Sequence, residues 1–158
     1  MLLIGDMLRR DAKLYSRKTA IIQDRQRFSY SDVNARCNRL ANGLASLGFK
    51  KGDKIGFMGN NCHEFVEYYF ALAKSGMVAI PVNARFSASE ASYVVNHSES
   101  IGLICTGDVE KTVVEMREST PLLKHIISTG TGFPSYEDLL SRASDREPAG
   151  DVAPTMWR

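Results

Sequence analysis

The chain has 158 residues, of which 44% are hydrophobic and 24% charged, the composition of one globular domain with its own core. Twenty basic against eighteen acidic residues give a formal charge of +2, which argues against nucleic acid as a partner. No apolar run reaches the ~20 residues of a membrane span. Three widely spaced cysteines fit neither a disulfide framework nor a zinc site, so we expect a cytoplasmic protein with reduced thiols.

The first part of the chain predicts a helix followed by a β-hairpin. Residues 3–14 have a helical pattern whose apolar positions share one side: Leu3, Met7 and Leu14. Two short strands follow, at 20–23 and 27–30, and the polar residues between them are typical of a tight turn. We expect a small antiparallel hairpin here.

A second helix is predicted directly after the hairpin. Ser29 and Asp32 have the spacing of a capping pattern, in which the serine oxygen accepts an amide of the first helical turn. The apolar residues form one stripe: Val33, Cys37, Leu40, Leu44 and Leu47. Gly48 predicts the end of this helix because glycine adopts the left-handed cap conformation at little cost.

The central segment predicts a strand–helix–strand unit. Apolar runs at 55–58 and 77–82 are expected to be buried strands. Between them, apolar residues recur at helical spacing: Phe65, Val66, Tyr69, Leu72 and Ala73. Lys74 and Gly76 indicate where this helix ends. Such a βαβ crossover is right-handed almost without exception.

The remaining sequence continues the alternation of helices and strands. Ser87 and Glu90 form a capping box that opens a helix, with its inner positions at Ala91, Val94, Val95 and Ser98. The later predicted elements are a strand at 101–105, a helix capped by Asp108 and packed by Val109, Val113 and Met116, a strand at 125–128, and a helix from Ser135 to Ala143.

This alternation predicts the α/β fold class, with a layered, doubly wound and mostly parallel sheet, flanking helices and the small amino-terminal hairpin. We assign residues 1–143 to one α/β unit and residues 144–158, which are polar and contain proline, to a linker. Sheets of this class bind ligands beyond the carboxyl ends of their strands, where the strand order reverses. Those ends are predicted at 59–61, 82–85, 106–108 and 128–132.

Two segments resemble the first two core motifs of the adenylate-forming enzymes, which include acyl-CoA synthetases, peptide-synthetase adenylation domains and luciferases. The segment 28–33, Phe-Ser-Tyr-Ser-Asp-Val, is similar to the first motif. The segment 72–82, Leu-Ala-Lys-Ser-Gly-Met-Val-Ala-Ile-Pro-Val, is similar to the second. Residues 38–53 resemble the usual link between the motifs, and 83–87, Asn-Ala-Arg-Phe-Ser, is most similar to acyl-CoA synthetases.

The resemblance implies the N-terminal portion of an acyl-CoA synthetase. Asp151, Met156 and Trp157 resemble the lead-in to the family's phosphate-binding loop, so we expect the catalytic motifs to lie beyond Arg158. The full-length enzyme would use ATP, Mg²⁺, CoA and a small carboxylic acid, with a fatty or medium-chain acid as the first expectation. We expect the fragment itself to bind no cofactor and to be inactive.

We also expect the fragment to self-associate through apolar surface that a longer chain would cover. The expected contact includes Met156, Trp157 and one face of the strand at 101–105. Two alternatives stay open. The chain could be a stand-alone nucleotide-binding or scaffolding α/β module, or a fragment of a peptide-synthetase adenylation domain or aryl-acid ligase.

No residue pattern in the chain indicates an active site, and we predict no catalytic, cofactor-binding or metal-binding residue. The run 129–135, Thr-Gly-Thr-Gly-Phe-Pro-Ser, resembles the family's phosphate-binding loop only vaguely; it lacks the lysine and is interpreted as a plain loop. Cys62, His63 and Glu64 are adjacent at a helix start, which predicts a surface helix terminus rather than a nucleophile–base pair.

An aromatic group and one arginine remain to be interpreted. An aromatic group is more simply interpreted as core than as a ligand box: Phe65, Tyr68, Tyr69 and Phe70. Arg85 follows a strand at its carboxyl end and is the exposed cation that could contact a phosphate-bearing ligand.

Overall fold

The computed structural model describes residues 3–149 and contains six α-helices and six β-strands within them. The elements are α1 (Ile4–Leu14), β1 (Thr19–Gln23), β2 (Gln26–Ser29), α2 (Tyr30–Ser46), β3 (Lys54–Gly59), α3 (His63–Ser75), β4 (Val78–Asn83), α4 (Ala88–His97), β5 (Gly102–Cys105), α5 (Glu110–Met116), β6 (His125–Ser128) and α6 (Tyr136–Arg142). Short 3₁₀ turns flank α5. Within residues 3–149, no helix is long and apolar enough to cross a bilayer.

Four strands form one parallel sheet in the order β4-β3-β5-β6. The chain leaves β3 for β4 on one side and then returns past β3 to β5, so the strand order reverses between β3 and β5. β1 and β2 pair antiparallel as a separate hairpin. The predicted α/β class, with a doubly wound parallel sheet and an amino-terminal hairpin, is confirmed.

Both faces of the sheet are covered by helices. Alternate residues of β3 divide between the faces, because side chains alternate along a strand: Phe57 packs with α2, α3 and α6, and Met58 packs with α4 and α5. A third apolar cluster lies outside the first helix layer, where Leu8 of α1 meets Val33 and Cys37 of α2. The result is a layered arrangement of hairpin and α1, then helices, sheet and helices.

The side of α1 that packs differs from the prediction. Gly5 and Leu8 are the buried residues of this helix, whereas Met7 and Leu14 are exposed. The reason is steric, because Gly5 lies directly against Lys74 of α3, and a Cβ there would come within 2.9 Å of the Lys74 Cγ atom. The close approach selects the glycine side of the helix over the larger apolar stripe.

Most of the predicted helix boundaries are confirmed. Ser29, Ser87 and Ser135 each cap a helix by accepting the backbone amide three residues later. Gly48 and Gly76 both have positive φ, at 94° and 70°, and each follows the last turn of its helix. Local capping chemistry is readable from sequence because it involves residues only a few positions apart.

The predicted cap at Asp108 is wrong. α5 is preceded by a 3₁₀ turn over Gly107–Val109, and Asp108 lies inside this turn. Its carboxylate accepts a hydrogen bond from the Asn60 side chain, at 2.5 Å, instead of capping the helix. Asp108 therefore binds the Asn60 side chain, at the end of β3, and not a backbone amide of its own helix.

The predicted apolar side of α3 is confirmed at Phe65 and Leu72, which pack in the core, and is wrong at two other positions. Val66 and Tyr69 are exposed, and Tyr68 and Ala71 are the buried positions facing the sheet. The Tyr68 hydroxyl donates to the carbonyl of Ile55, at 2.6 Å, and accepts from the amide of Ile80, at 2.7 Å. Tyr68 therefore joins α3 to two strands. The core interpretation of the aromatic group is confirmed for Tyr68, Phe65 and Phe70, which pack on apolar clusters, and is wrong for the exposed Tyr69.

The expected exposed face of the strand at 101–105 is also wrong. Gly102, Leu103, Ile104 and Cys105 are all buried, because helices of the described chain cover both sides of β5. β4 was predicted to be a buried strand, but it lies at the edge of the sheet and is partly exposed. Met156 and Trp157, the other part of the expected contact, lie outside the described residues.

Candidate functional site

The carboxyl ends of β3 and β5 meet at the point where the strand order reverses. Asn60 and Asp108 are hydrogen-bonded across this crevice. Thr106, at the carboxyl end of β5, is buried, and its hydroxyl has no hydrogen-bond partner among the described residues. Gly59 leaves room for Thr106, since a Cβ at Gly59 would lie 2.5 Å from the Thr106 Oγ1 atom. This crevice is the expected ligand position of a doubly wound sheet.

The glycine-rich loop after β6 folds around an internal carboxylate. Glu110, at the start of α5, accepts a hydrogen bond from the Ser128 hydroxyl at 2.5 Å and from the Gly132 amide at 3.0 Å. The Gly130 amide donates to the Ser128 oxygen at 2.9 Å. A phosphate-binding loop needs free amides aimed at the ligand. These amides are already used, so the described residues do not fit a nucleotide phosphate here.

Arg85 lies where the sequence predicted, in the loop that follows the carboxyl end of β4. The residue is exposed, and its backbone amide donates to the Asn83 side chain at 2.9 Å. That bond fixes the loop backbone and leaves the guanidinium group on the surface of the carboxyl edge.

A buried polar junction joins α2, α3 and α6, and Glu67 of α3 is at its centre. The Glu67 carboxylate is fully buried and accepts hydrogen bonds from Arg36 at 2.6 Å, His63 at 2.8 Å and Tyr136 at 2.7 Å. Burial alone would raise the pKa of Glu67, but the bonds from His63 and Arg36 outweigh it and hold this pKa below its ordinary value. Arg36 also forms two hydrogen bonds to Glu137.

The interpretation of Cys62, His63 and Glu64 as a surface helix terminus is wrong for the histidine. His63 is buried against the ring of Phe28, with ring centroids 4.5 Å apart. Burial lowers the pKa of His63, but the hydrogen bond and charge of Glu67, together with the charge of Glu64, raise it above its ordinary value overall. Burial raises the pKa of the Cys62 thiol to about 12, which is unsuited to a nucleophile at neutral pH.

A second part of the polar junction holds the segment 143–147 onto α2. Lys74 is buried, and its ammonium donates to Asn34 and Asn38, both at 2.7 Å, and to Glu147 at 2.8 Å. Asn38 also donates to the carbonyl of Asp145 at 2.9 Å. Burial raises the pKa of Glu147, but the bond from Lys74 and the amide bonds from the asparagines lower it overall.

Sequence reasoning missed this junction, although one signal was present. Asn34, Asn38 and Asn42 recur every four residues on α2 and therefore share one face. All three donate side-chain hydrogen bonds to residues 144–147. The division at residue 143 between α/β unit and linker stays a prediction. The groups of the junction satisfy one another, which is the arrangement of a structural network rather than of a catalytic site. Among residues 3–149, no group of three or more metal-ligating side chains converges.

Comparison with known proteins gives a family match over most of the chain. The family described as AMP-binding enzyme matches residues 8–156. Among curated proteins, a crotonobetaine/carnitine–CoA ligase from Salmonella paratyphi A is 34% identical over 147 residues, which are 87% of this chain and 28% of the relative. The Escherichia coli protein with the same description is 31% identical over 146 residues, with the same two coverages.

Solved structures share the fold. The N-terminal domain of FACL13 from Mycobacterium tuberculosis, crystallised with an inhibitor, has a TM-score of 0.89 at 30% identity and matches 96% of this chain and 38% of that one. A fatty acyl CoA synthetase from the same organism has a TM-score of 0.87 at 30% identity over 94% of this chain and 30% of that one. The chain therefore spans about a third or less of the length of most of these relatives.

Proposed function

The chain belongs to the AMP-binding enzymes, and on this premise we propose that it is the N-terminal part of an ATP-dependent acyl-CoA synthetase. The observation that carries the proposal is the 34% identity to a crotonobetaine/carnitine–CoA ligase across 87% of the chain. The fold similarity to a fatty acyl CoA synthetase supports the same assignment independently of the sequence motifs.

The proposed reaction of the longer enzyme has two steps. A small carboxylic acid and ATP give an acyl-adenylate and pyrophosphate, and the thiol of CoA then displaces AMP to give the acyl-CoA thioester. Mg²⁺ is proposed to accompany ATP because it neutralises phosphate charge in reactions of this class. A fatty or medium-chain acid is proposed as the substrate, and the similarity to the M. tuberculosis fatty acyl CoA synthetase supports this choice.

For the 158-residue chain by itself we propose a structural role without adenylation activity. The glycine-rich loop is the described segment most similar to a phosphate-binding loop, and its Gly130 and Gly132 amides are used by Ser128 and Glu110. No catalytic, cofactor-binding or metal-binding residue is assigned within the chain, and no bound ATP, CoA or Mg²⁺ is expected. Arg85 is proposed only as a contact for a phosphate-bearing ligand in the longer enzyme, supported by its exposed position at the carboxyl edge.

The proposal also includes the location of the protein and its self-association. Cys37, Cys62 and Cys105 are free thiols, which supports a reducing, cytoplasmic location. Self-association of the chain is proposed at the edge strand β4 rather than at β5, because β4 is partly exposed and β5 is buried. Exposed edge strands pair readily with other chains.

Pyrophosphate release tests the proposal. We expect no release above background from the 158-residue chain with ATP, Mg²⁺ and a panel of carboxylic acids. We expect pyrophosphate release from a longer protein that also contains the part of the relatives' sequence that follows the matched region. Turnover by the short chain that is lost on mutation of one of its own residues would refute the fragment interpretation. ATP binding by the short chain, without turnover, would instead favour a stand-alone nucleotide-binding module.

A further inference from the structure

The outer surface of α1 exposes a stripe of large apolar side chains. Ile4 and Leu14 are 62% and 64% exposed, and Met7 and Tyr15 are also exposed. At 100° per residue, these four positions lie within an arc of about 100° on the helix. We call them the α1 stripe. The neighbouring side of the helix packs on the protein, so the α1 stripe is free while α1 itself is held in place.

Basic residues are concentrated in the same part of the chain. Among residues 1–30 there are seven basic and three acidic residues, whereas residues 31–158 have thirteen basic and fifteen acidic ones. The overall charge of +2 therefore hides a positive amino-terminal layer on an otherwise slightly negative protein. Such an asymmetry favours an anionic partner for that layer.

Within residues 3–149, some of these cations form no ion pair with a carboxylate. Arg9 and Arg10 pair with Asp6 and Asp11, at 2.6 Å and 2.8 Å. In the described residues no carboxylate forms an ion pair with Arg17 or Lys18, which follow the α1 stripe after Ser16. The Lys18 ammonium lies 4.6 Å from the centroid of the Tyr15 ring, so a cation borders the stripe itself. Asp11, the acidic residue within the arc, is the one that pairs with Arg10.

We propose that α1 docks on the surface of a phospholipid bilayer that contains anionic lipids. The α1 stripe enters the boundary between headgroups and acyl chains, and Arg17 and Lys18 contact the anionic headgroups. Apolar side chains on one side of a helix and cations at its margin are the two features that hold interfacial helices on membranes. The charge asymmetry favours this occupant over a second copy of the chain docked through its own α1 stripe, because that copy's amino-terminal layer would carry the same positive charge.

Vesicle co-sedimentation tests the docking. We expect the chain to bind vesicles of phosphatidylcholine with about 30 mol % phosphatidylserine and not vesicles of phosphatidylcholine alone, with binding that weakens as salt is added. Equal binding to both vesicles, or binding to neither, would overturn the proposal.

Matched variants separate the apolar and charged contributions. Ile4→Ser with Leu14→Ser is expected to weaken binding about tenfold, and the control Val114→Ser, at a position 58% exposed on α5, to leave it unchanged. Circular dichroism checks that α1 still forms. Binding that is insensitive to the α1 pair would contradict the proposal.

The charge variant acts without touching the apolar stripe. Arg17→Gln with Lys18→Gln is expected to weaken binding about tenfold or more, and the control Lys111→Gln with Lys124→Gln to change it little. Sedimentation velocity identifies the competing occupant, because self-association that is lost in the Ile4 and Leu14 variant would assign the stripe to a second copy. Loss of vesicle binding in a longer form of the protein would assign the stripe to the added region. Either result would overturn the proposal.

Discussion

Helix α3 faces two different environments, and its two sides are held by different forces. On the sheet side, Tyr68, Ala71 and Leu72 join an apolar cluster with β3, β5 and β6. On the other side, Glu67 and Lys74 are buried among charged and amide groups of α2, α6 and residues 143–147. The apolar side gains from burial of almost any side chain of suitable size, whereas the polar side is stable only if every partner is present.

The difference predicts different responses to mutation. An apolar core relaxes around a lost methyl group, so its losses are graded. A buried ion network responds abruptly, because removal of one charge leaves its partners desolvated and unpaired. We therefore expect the junction to fix the position of residues 143–147 on α2 and α3 more strictly than apolar contact alone would.

The largest effect is expected at Glu67. Glu67→Ala removes the shared acceptor of Arg36, His63 and Tyr136. It leaves His63 and Tyr136 buried without that acceptor, and Arg36 with Glu137 as its remaining carboxylate. We expect a loss of about 3–5 kcal/mol in the free energy of unfolding, which is the usual result of breaking a buried pair. Chemical denaturation measures it.

Glu137 is the matched control for Glu67. It binds the same arginine, but its side chain is 61% exposed. Glu137→Ala is expected to cost about 1 kcal/mol or less, as exposed ion pairs do. Equal losses in the free energy of unfolding for Glu67→Ala and Glu137→Ala would mean that burial does not make the Glu67 partner of Arg36 more important than the Glu137 partner.

A smaller effect is expected at Gly76, where α3 ends and the chain turns into β4. Its φ of 70° favours glycine, and a Cβ would come within 2.9 Å of the flexible Lys51 side chain. Gly76→Ala is expected to cost about 1 kcal/mol, and Gly76→Val more. Gly48→Ala is the control, because Gly48 has a φ of 94° and no atom within 4 Å of the added Cβ, so it isolates the backbone cost. An unchanged denaturation midpoint for Gly76→Val would contradict the role of this cap.

The strands and helix caps on the sheet side could be located from sequence, and the junction could not. Strands such as β5 are short apolar runs, and caps such as Ser87 with Glu90 are local, so both leave a signal within a few residues. Glu67, in contrast, is a charged residue on a helix and would ordinarily be assigned to solvent. Its partners Arg36 and Tyr136 are 31 and 69 residues away, and only the tertiary structure brings them together.

The candidate site shows the same division. The carboxyl ends of the strands were predictable because parallel strands end on one edge, and Arg85 lies there as expected. The role of Glu110 was not predictable, since its contact with Gly132 joins residues 22 positions apart in a loop without periodicity. Likewise, the α1 stripe has the periodicity of a packing face, and only the contact of Gly5 with Lys74 shows that the helix is turned the other way.

The smallest effect is a pH dependence of stability that belongs to the polar side alone. The folded-state pKa of His63 is raised above its ordinary value of 6.5 by Glu67 and Glu64, despite the opposing effect of burial. A raised pKa contributes stability that is fully present below about 6.5 and is lost as pH rises through the folded-state value. The pKa of Glu67 is lowered from 4.5, so its contribution is present above that pH and is lost as pH falls through the lower folded-state value.

Both contributions are complete only between those two ordinary values, so the junction should be most stable in mildly acidic solution. We expect a higher free energy of unfolding at about pH 5.5 than at about pH 8.5. His63→Gln should flatten this difference, whereas His97→Gln, at an exposed position beside Tyr93 on α4, should keep it. Denaturant titrations of the three proteins at both pH values measure the effect. If the His63 variant kept the full difference in the free energy of unfolding between the two pH values, the pH dependence would arise outside the junction. The contrast between the two sides of α3 would then depend on Glu67 alone.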